Sequence, residues 1–186
     1  MKPENLLIGN DGYLRLIDFG FAKILNEART FTLCGTPEYI APEIILNQGH
    51  GKAADWWTLG ILIYEMHAGF DPFGGGECDD IMKIYKKILK GKITFPSIFE
   101  KEAKDAKSLI KHLLVADLSK RYGNLKDGII LCYLGFKDIK NHRWFNSLNW
   151  DDLIKKKIKP FYTPKVKNIG DVSNYEDITD SNSEVP

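Results

Sequence analysis

The sequence predicts a mainly α-helical fold with one short β-hairpin near its start and an extended tail at its end. Two short apolar segments enclose a turn of Gly, Asn, Asp and Gly at residues 9–12, which indicates the hairpin. Three later segments either repeat apolar residues every three or four positions or are almost wholly apolar, which indicates helices. After Trp150 lysine, proline and aromatic residues alternate, which is typical of a tail that follows the surface.

The hairpin is predicted from residues 6–8 and 13–17, because Asn, Asp and Gly in the turn between them accept positive φ at low cost. Residues 23–42 show no periodicity and contain several Thr, Gly and Pro residues. They predict a long loop, which compact domains usually keep for function.

Three helices are predicted. The first is apolar on nearly all sides, begins after a glycine-rich turn and stops before Gly69, so we expect it in the core. The other two carry one apolar face each and predict amphipathic helices. The three predicted helices cover residues 52–66, 79–89 and 103–115.

Composition excludes several classes of protein. The formal net charge of +1 provides no long-range field that would attract nucleic acid. Three cysteines at unrelated spacings fit neither a disulfide framework nor a zinc site, and indicate a reducing compartment. The start of the chain lacks a secretory signal, and no apolar run reaches the ~20 residues of a membrane span. We expect a cytoplasmic location, with the nucleus as a second compartment.

The predicted hairpin brings Asn5, just ahead of its first strand, close to Asp18, just behind its second. Magnesium takes a few hard oxygen ligands from protein and completes its shell with water and phosphate, so an amide and a carboxylate suit a magnesium site beside a nucleotide. Lys2 could neutralise charge on a phosphoryl group. Taken singly, each residue is better explained as a turn, cap or solvated residue.

Three motifs then occur in order: Lys-Pro-Glu-Asn at 2–5, Asp-Phe-Gly at 18–20 and Ala-Pro-Glu at 41–43. They resemble, in eukaryotic protein kinases, the end of the catalytic loop, the magnesium-binding motif and the end of the activation segment. Longer matches are to the AGC group, and among its members to cAMP-dependent kinase catalytic subunits, with cGMP-dependent kinases next. These matches lie at residues 18–23, 32–39, 55–57 and 170–175.

The resemblance implies an α+β kinase fold, of which this chain would supply a mainly helical C-terminal lobe. Residues 1–145 would form that lobe from the end of the catalytic loop onward, and residues 146–186 the AGC-type tail. No match to the amino-terminal lobe is found within the sequence.

For chemistry, the resemblance implies that ATP and Mg²⁺ are the cofactors. Asn5 and Asp18 would hold magnesium, and Lys2 would contact the transferring phosphate. Thr36 would hydrogen-bond near the catalytic base, and Tyr175 would lie beside the adenine.

For substrates, the resemblance implies Ser/Thr proteins with an arginine ahead of the phosphoacceptor. Glu4 and Glu65 would bind that arginine through bidentate pairs. Leu33 and Gly35, with Cys34 between them, would form the pocket for the following residue. A helix glutamate is more commonly solvated than functional, but Glu65 lies within an apolar run, which favours the functional interpretation.

Five further residues receive roles from the resemblance. Thr32 matches the activation-loop phosphorylation site, with Lys23 as its matching cation. Glu43 and Arg121 match a buried ion pair, and Asp55 a carboxylate that braces the catalytic loop. A cyclic-nucleotide-binding regulatory subunit is implied as a partner, and the alternative is control by a region of the same polypeptide.

The sequence departs from the family in two places. The family has His or Tyr, Arg, Asp and Leu ahead of Lys-Pro-Glu-Asn, whereas Met1 here occupies the leucine position. Since residues 1–186 contain no counterpart of the catalytic aspartate, we expect them to be inactive alone. Residues 128–136 form an apolar insertion in a predicted surface loop, interpreted either as translated intron or as a docking patch.

Three hypotheses therefore remain at this point. The first is an active kinase of the cAMP-dependent type, of which this chain is one part. The second is a non-catalytic module that binds substrates or partners, and the third is a nonfunctional gene fragment. Retention of Lys2, Asn5 and Asp18 favours the first.

Overall fold

A computed structural model of the chain describes residues 1–25, 29–74, 80–125, 136–168 and 170–175. Within these ranges the chain forms one two-stranded antiparallel sheet and a set of α-helices, which confirms the predicted fold class. In chain order the elements are β1 (Leu6–Ile8), β2 (Leu14–Leu16), α1 (Pro42–Ile45), α2 (Ala53–Ala68), α3 (Ile81–Lys90), α4 (Ile98–Lys101), α5 (Lys104–Leu113), α6 (Lys137–Lys140) and α7 (Trp150–Ile154).

Strands β1 and β2 form the expected hairpin, in which Leu6 pairs with Leu16 and Ile8 with Leu14. The turn is closed by the Gly9 N–H, which donates to the Tyr13 carbonyl at 2.9 Å. The second strand is shorter than predicted by one residue at each end.

Helix α2 is the centre of the hydrophobic core. Trp57, Ile61 and Tyr64 of this helix are almost completely buried. Its closest neighbour is α5, and Gly60 makes the close approach possible, because a Cβ at this position would lie 2.9 Å from the Leu113 Cβ. The helix ends at Gly69, whose φ of 80° lies in the left-handed region that glycine adopts easily.

Helices α3 and α5 are amphipathic, as predicted, and bury one apolar face each. Helix α3 begins at Asp80, whose carboxylate accepts the Met82 N–H at 3.0 Å as an N-cap. On α5 the buried face consists of Ala106, Leu109, Ile110 and Leu113. The short helices α1, α4, α6 and α7 were not predicted, because four or five residues are too few to show a helical period.

A buried ion pair joins three parts of the fold. The Arg121 guanidinium donates to both carboxylate oxygens of Glu43, at 2.7 and 2.8 Å, and both side chains are almost fully buried. Arg121 also donates to the carbonyls of Val115 and Ala53, at 2.8 and 3.0 Å, and its guanidinium carbon lies 5.2 Å from the centre of the Trp57 ring. The pair therefore fixes α1 to the start of α2 and to the loop behind α5.

The predicted tail contains helix α7, which the alternation of lysine, proline and aromatic residues after Trp150 does not indicate. Asn149 caps this helix by accepting the Asp151 and Asp152 N–H groups at 3.0 and 3.2 Å. The tail then reaches the hairpin: the Tyr13 hydroxyl donates to the Ile158 carbonyl at 2.6 Å, and Lys156 donates to Asp11 at 2.6 Å.

The insertion at residues 128–136 lies outside the described residues except for Phe136, which is half exposed and precedes α6. No helix in the described part of the chain is long and apolar enough to cross a membrane.

The buried pair predicts a large difference between two arginine substitutions. Arg121→Met leaves the Glu43 carboxylate buried without a partner, and should lower the free energy of unfolding by about 3–5 kcal/mol. Arg143→Met removes an ion pair to Asp105 whose side chains are about half exposed, and should cost roughly 0–1 kcal/mol. Urea unfolding followed by tryptophan fluorescence measures both, and equal losses would contradict the role given to Glu43 and Arg121.

Candidate nucleotide and substrate site

The hairpin places Asn5 and Asp18 at the same end of the sheet. Residues Pro3–Asn5 form a 3-10 turn, which leads directly into β1. The Ile17 N–H donates to the Asn5 carbonyl at 2.9 Å, so the ladder continues one pair beyond the two strands. Asp18, the next residue, therefore lies at the same end of the sheet as Asn5.

Both side chains offer oxygen atoms to a ligand. Asp18 has a φ of 61°, and its Oδ1 accepts the Gly20 N–H at 3.1 Å. Within the described residues, Asp18 Oδ2 and the Asn5 side-chain amide have no protein partner for a hydrogen bond. One amide oxygen and one carboxylate oxygen at the same edge form a donor set that fits Mg²⁺, which prefers such hard ligands.

Two further predicted residues lie outside the hairpin in the sequence: Lys2 precedes Asn5 by three residues, and Thr36 follows Asp18 by 18 residues. Lys2 is half-buried at the start of the 3-10 turn, and its carbonyl accepts the Asn5 N–H at 3.1 Å. In the described part of the chain its ammonium group has no acidic partner. Thr36 directly precedes a second 3-10 turn, Pro37–Tyr39, and its carbonyl accepts the Tyr39 N–H at 2.9 Å.

Three acidic residues act on the Tyr39 hydroxyl, and we call Glu4, Glu65 and Asp71 the acidic cluster. The hydroxyl donates to the Glu65 carboxylate, which joins the second 3-10 turn to helix α2. The pKa of Tyr39 is raised above its ordinary value of 10.0, first because the ring is buried and then because of Glu65, with smaller contributions from Glu4 and Asp71. The structure thus brings the charges of Glu4 and Glu65, which are far apart in sequence, to one tyrosine.

Tyr39 and Asp71 were not among the predicted site residues. Tyr39 ends the segment at residues 32–39 that resembles the AGC group, so the sequence did contain a signal that could have identified it as a site residue. Asp71 had no such signal, and only the folded chain shows that it contributes to the cluster.

Thr32 lies exposed beside a small polar group. Its hydroxyl oxygen is 3.5 Å from that of Thr30, to which the Lys23 ammonium donates at 3.3 Å. Thr30 in turn exchanges two backbone hydrogen bonds with His50, at 2.8 and 2.9 Å. The Thr30 hydroxyl thus lies between the Lys23 ammonium and the Thr32 hydroxyl.

The predicted pocket residues follow directly. Leu33 is exposed, Cys34 is half-buried, and Gly35 has a φ of 120°, a backbone conformation that side-chain-bearing residues rarely adopt. The exposed Leu33 side chain, two residues before Gly35, gives this segment an apolar surface.

In the described part of the chain, two other predicted residues make no hydrogen bond to the residues of this site. Asp55 is exposed near the start of α2, and within the described residues its carboxylate makes no hydrogen bond. Tyr175 is also exposed, and its N–H donates to the Val172 carbonyl at 2.9 Å. No hydrogen bond or ring contact in the described chain links Tyr175 to the hairpin.

Comparison with known proteins identifies the family of the chain. The sequence profile of the protein kinase domain matches residues 1–145. The chain belongs to the protein kinase domain family. The resemblance that the motifs indicated is thereby confirmed.

Several curated relatives carry a more specific name. A cAMP-dependent protein kinase catalytic subunit of Dictyostelium discoideum is 55% identical over 95% of this chain and 25% of its own length. The catalytic subunit PRKX of Homo sapiens is 51% identical over 95% of this chain and 45% of its own length. Catalytic subunit 3 of Drosophila melanogaster is 53% identical over 95% of this chain and 28% of its own length. The kinase chain thus spans about a quarter to a half of these relatives.

The contact between Tyr39 and Glu65 predicts a measurable change in tyrosine titration. Glu65→Gln keeps a hydrogen-bond acceptor but removes the charge, so the pKa of Tyr39 should fall toward 10.0 while burial keeps it above that value. Titration of the tyrosine Cζ carbons by NMR measures the shift. Glu102→Gln, which removes an exposed carboxylate that does not act on Tyr39, should leave it unchanged.

Proposed function

We propose that this chain contributes the magnesium and substrate side of a serine/threonine protein kinase of the cAMP-dependent type, which transfers the γ-phosphate of ATP to protein hydroxyl groups. The observation that carries the proposal is the hydrogen bond from Ile17 to Asn5, because it supports a position of Asp18 at the same end of the sheet as Asn5. The names of the relatives support the same reaction.

Asn5 and Asp18 would hold Mg²⁺ through the amide oxygen and the free carboxylate oxygen. When bound, the ion neutralises charge on the phosphates of ATP. Lys2 lies where the 3-10 turn starts and carries a positive charge. In our proposal its ammonium group binds the transferring phosphoryl group. Thr36 orients the substrate hydroxyl, and Tyr175 lies against the adenine when the tail is in place.

The acidic cluster supports a basic substrate motif. Glu4 and Glu65 act on the same tyrosine, so their charges converge, and a guanidinium can form bidentate pairs with carboxylates in such a position. The Tyr39 hydroxyl holds the Glu65 carboxylate in place. Leu33 and Gly35 then accept an apolar residue after the phosphoacceptor.

Phosphorylation of Thr32 would regulate this segment. A phosphate adds about −1.5 to −2 charges at pH 7, and the Lys23 ammonium is already held beside Thr32 through Thr30. We further propose a cyclic-nucleotide-binding regulatory subunit as partner and a cytoplasmic or nuclear location, in line with the cysteine content.

The proposal also predicts the activity of residues 1–186 when they are assayed alone. These residues contain no aspartate at the position of the family's catalytic base, so the polypeptide should transfer no phosphate above background. It would still bind substrates through the acidic cluster, which also describes the alternative function of a non-catalytic binding module.

A chimeric kinase decides between these functions. The region of the Dictyostelium discoideum relative that precedes its match to this chain is joined in front of Lys2, and transfer of the γ-phosphate to a peptide containing Arg and Ser is measured with Mg²⁺. Activity that is lost in the Asp18→Asn variant supports the kinase. A folded, ATP-binding chimera that transfers no phosphate would support the binding module instead.

Peptide binding to residues 1–186 tests the acidic cluster directly. An arginine-containing peptide should bind roughly tenfold to a hundredfold more weakly to Glu65→Gln, since hydrogen bonds to charged groups have about this effect on affinity. Glu102→Gln is the control and should bind like the unaltered chain. Equal binding of the arginine peptide and its alanine analogue would exclude the proposed basic motif.

A further inference from the structure

Two of the four histidines meet between helix α5 and the 3-10 turn Arg143–Phe145. The rings of His112 and His142 lie 5.9 Å apart, and both contact the Tyr122 ring, at 4.3 and 6.3 Å. Only 9% of the surface of His142 is exposed. No residue of the proposed kinase site takes part, so this group needs its own explanation.

Ser108 of helix α5 fixes both imidazoles. Its carbonyl accepts the His112 Nδ1–H at 2.7 Å, since a carbonyl oxygen can only accept. Its hydroxyl lies 3.2 Å from His142 Nε2. One serine therefore orients two histidines, through its backbone and its side chain.

The neutral form of His142 is required by its second hydrogen bond. His142 Nδ1 accepts the Trp144 N–H at 3.2 Å, and this bond caps the 3-10 turn. Nδ1 must therefore carry no proton, and the proton of the neutral ring lies on Nε2, which donates to Ser108. A proton added to Nδ1 would face the Trp144 N–H, and two donors cannot bond to each other.

The charged groups around His142 also disfavour a second proton. Burial is the largest cause that lowers the pKa of His142 below its ordinary value of 6.5, followed by the charges of His112 and Arg143. Asp105 of α5 acts in the opposite direction, but its carboxylate is paired with Arg143 at 2.7 Å. Asp138 of the neighbouring helix α6 accepts the Gly123 and Ile139 N–H groups instead.

We propose that His142, His112 and Ser108 form an acid-sensitive latch, which holds residues 142–145 against helix α5 at neutral pH and releases them when His142 takes up a proton. The latch also affects residues outside it. Trp144 and Phe145 pack against the core, and the Phe145 ring lies 5.0 Å from the ring of Trp150 at the start of α7. Opening the latch therefore loosens the base of the tail.

The sign of the pH dependence follows from the lowered pKa. Below pH 6.5 the unfolded chain binds a proton at His142 more readily than the folded chain does. The stability that neutral His142 contributes is thus fully present above pH 6.5 and is lost as the pH falls below that value.

Hydrogen exchange of the Trp144 and Phe145 amides in the 186-residue chain tests the latch. After correction for the intrinsic rate, their exchange should accelerate roughly three- to thirtyfold between about pH 7.5 and about pH 5.5, the range expected for losing one cap. His142→Asn should abolish this acceleration, because Asn Oδ1 replaces Nδ1 as the acceptor and does not titrate. His50→Asn, whose ring lies outside the latch, should retain it.

A flat profile in the unaltered chain, or an unchanged acceleration in His142→Asn, would overturn the proposal. If His142→Asn does not fold, NMR titration of the imidazole carbons in the unaltered chain still decides. A midpoint for His142 below 6.5 supports the latch, and a midpoint at or above 6.5 refutes it.

Discussion

The ion pair between Glu43 and Arg121 is the contact on which the rest of the fold depends. Glu43 lies at the start of α1, directly behind the loop that contains Thr32, Leu33 and Thr36. Arg121 lies beyond α5 and also binds the carbonyl of Ala53 at the start of α2. Because both charges are buried, neither can move away from the other without leaving an unpaired ion in the core. The loop at residues 23–42 is thereby tied to helix α2.

The candidate site uses two further constraints of the same kind. The sheet ladder ends with the bond from Ile17 to Asn5, directly before Asp18. The Tyr39 hydroxyl bonds to Glu65 and so connects the end of the loop at residues 23–42 to the C-terminal part of α2. In the proposed function, these hydrogen bonds, which are directional, would hold the oxygen ligands for a cation and the carboxylates for a guanidinium in position. That directionality suits a reaction in which the positions of the groups matter most.

Much of this could be predicted from the chain alone. The hairpin follows from Gly, Asn and Asp in its turn, and helix α2 from a long apolar run that ends at Gly69. The short helices could not be predicted, since α4 and α6 are single turns whose formation depends on packing against neighbours. The role of Asp71 and the meeting of His112 with His142 were equally inaccessible, because both depend on residues far apart in the sequence that only the fold brings together.

By itself the sequence determined the family and the identity of the residues that could do its chemistry. Motifs such as Asp-Phe-Gly at 18–20 are recognised from the order of residues along the chain, which is the same before and after folding. Only the tertiary structure decided two other meetings: Asp71 with Tyr39, and His142 with His112 across Ser108. The physical reason is that electrostatic interactions and hydrogen bonds act through distance and burial, which the linear order of residues does not contain.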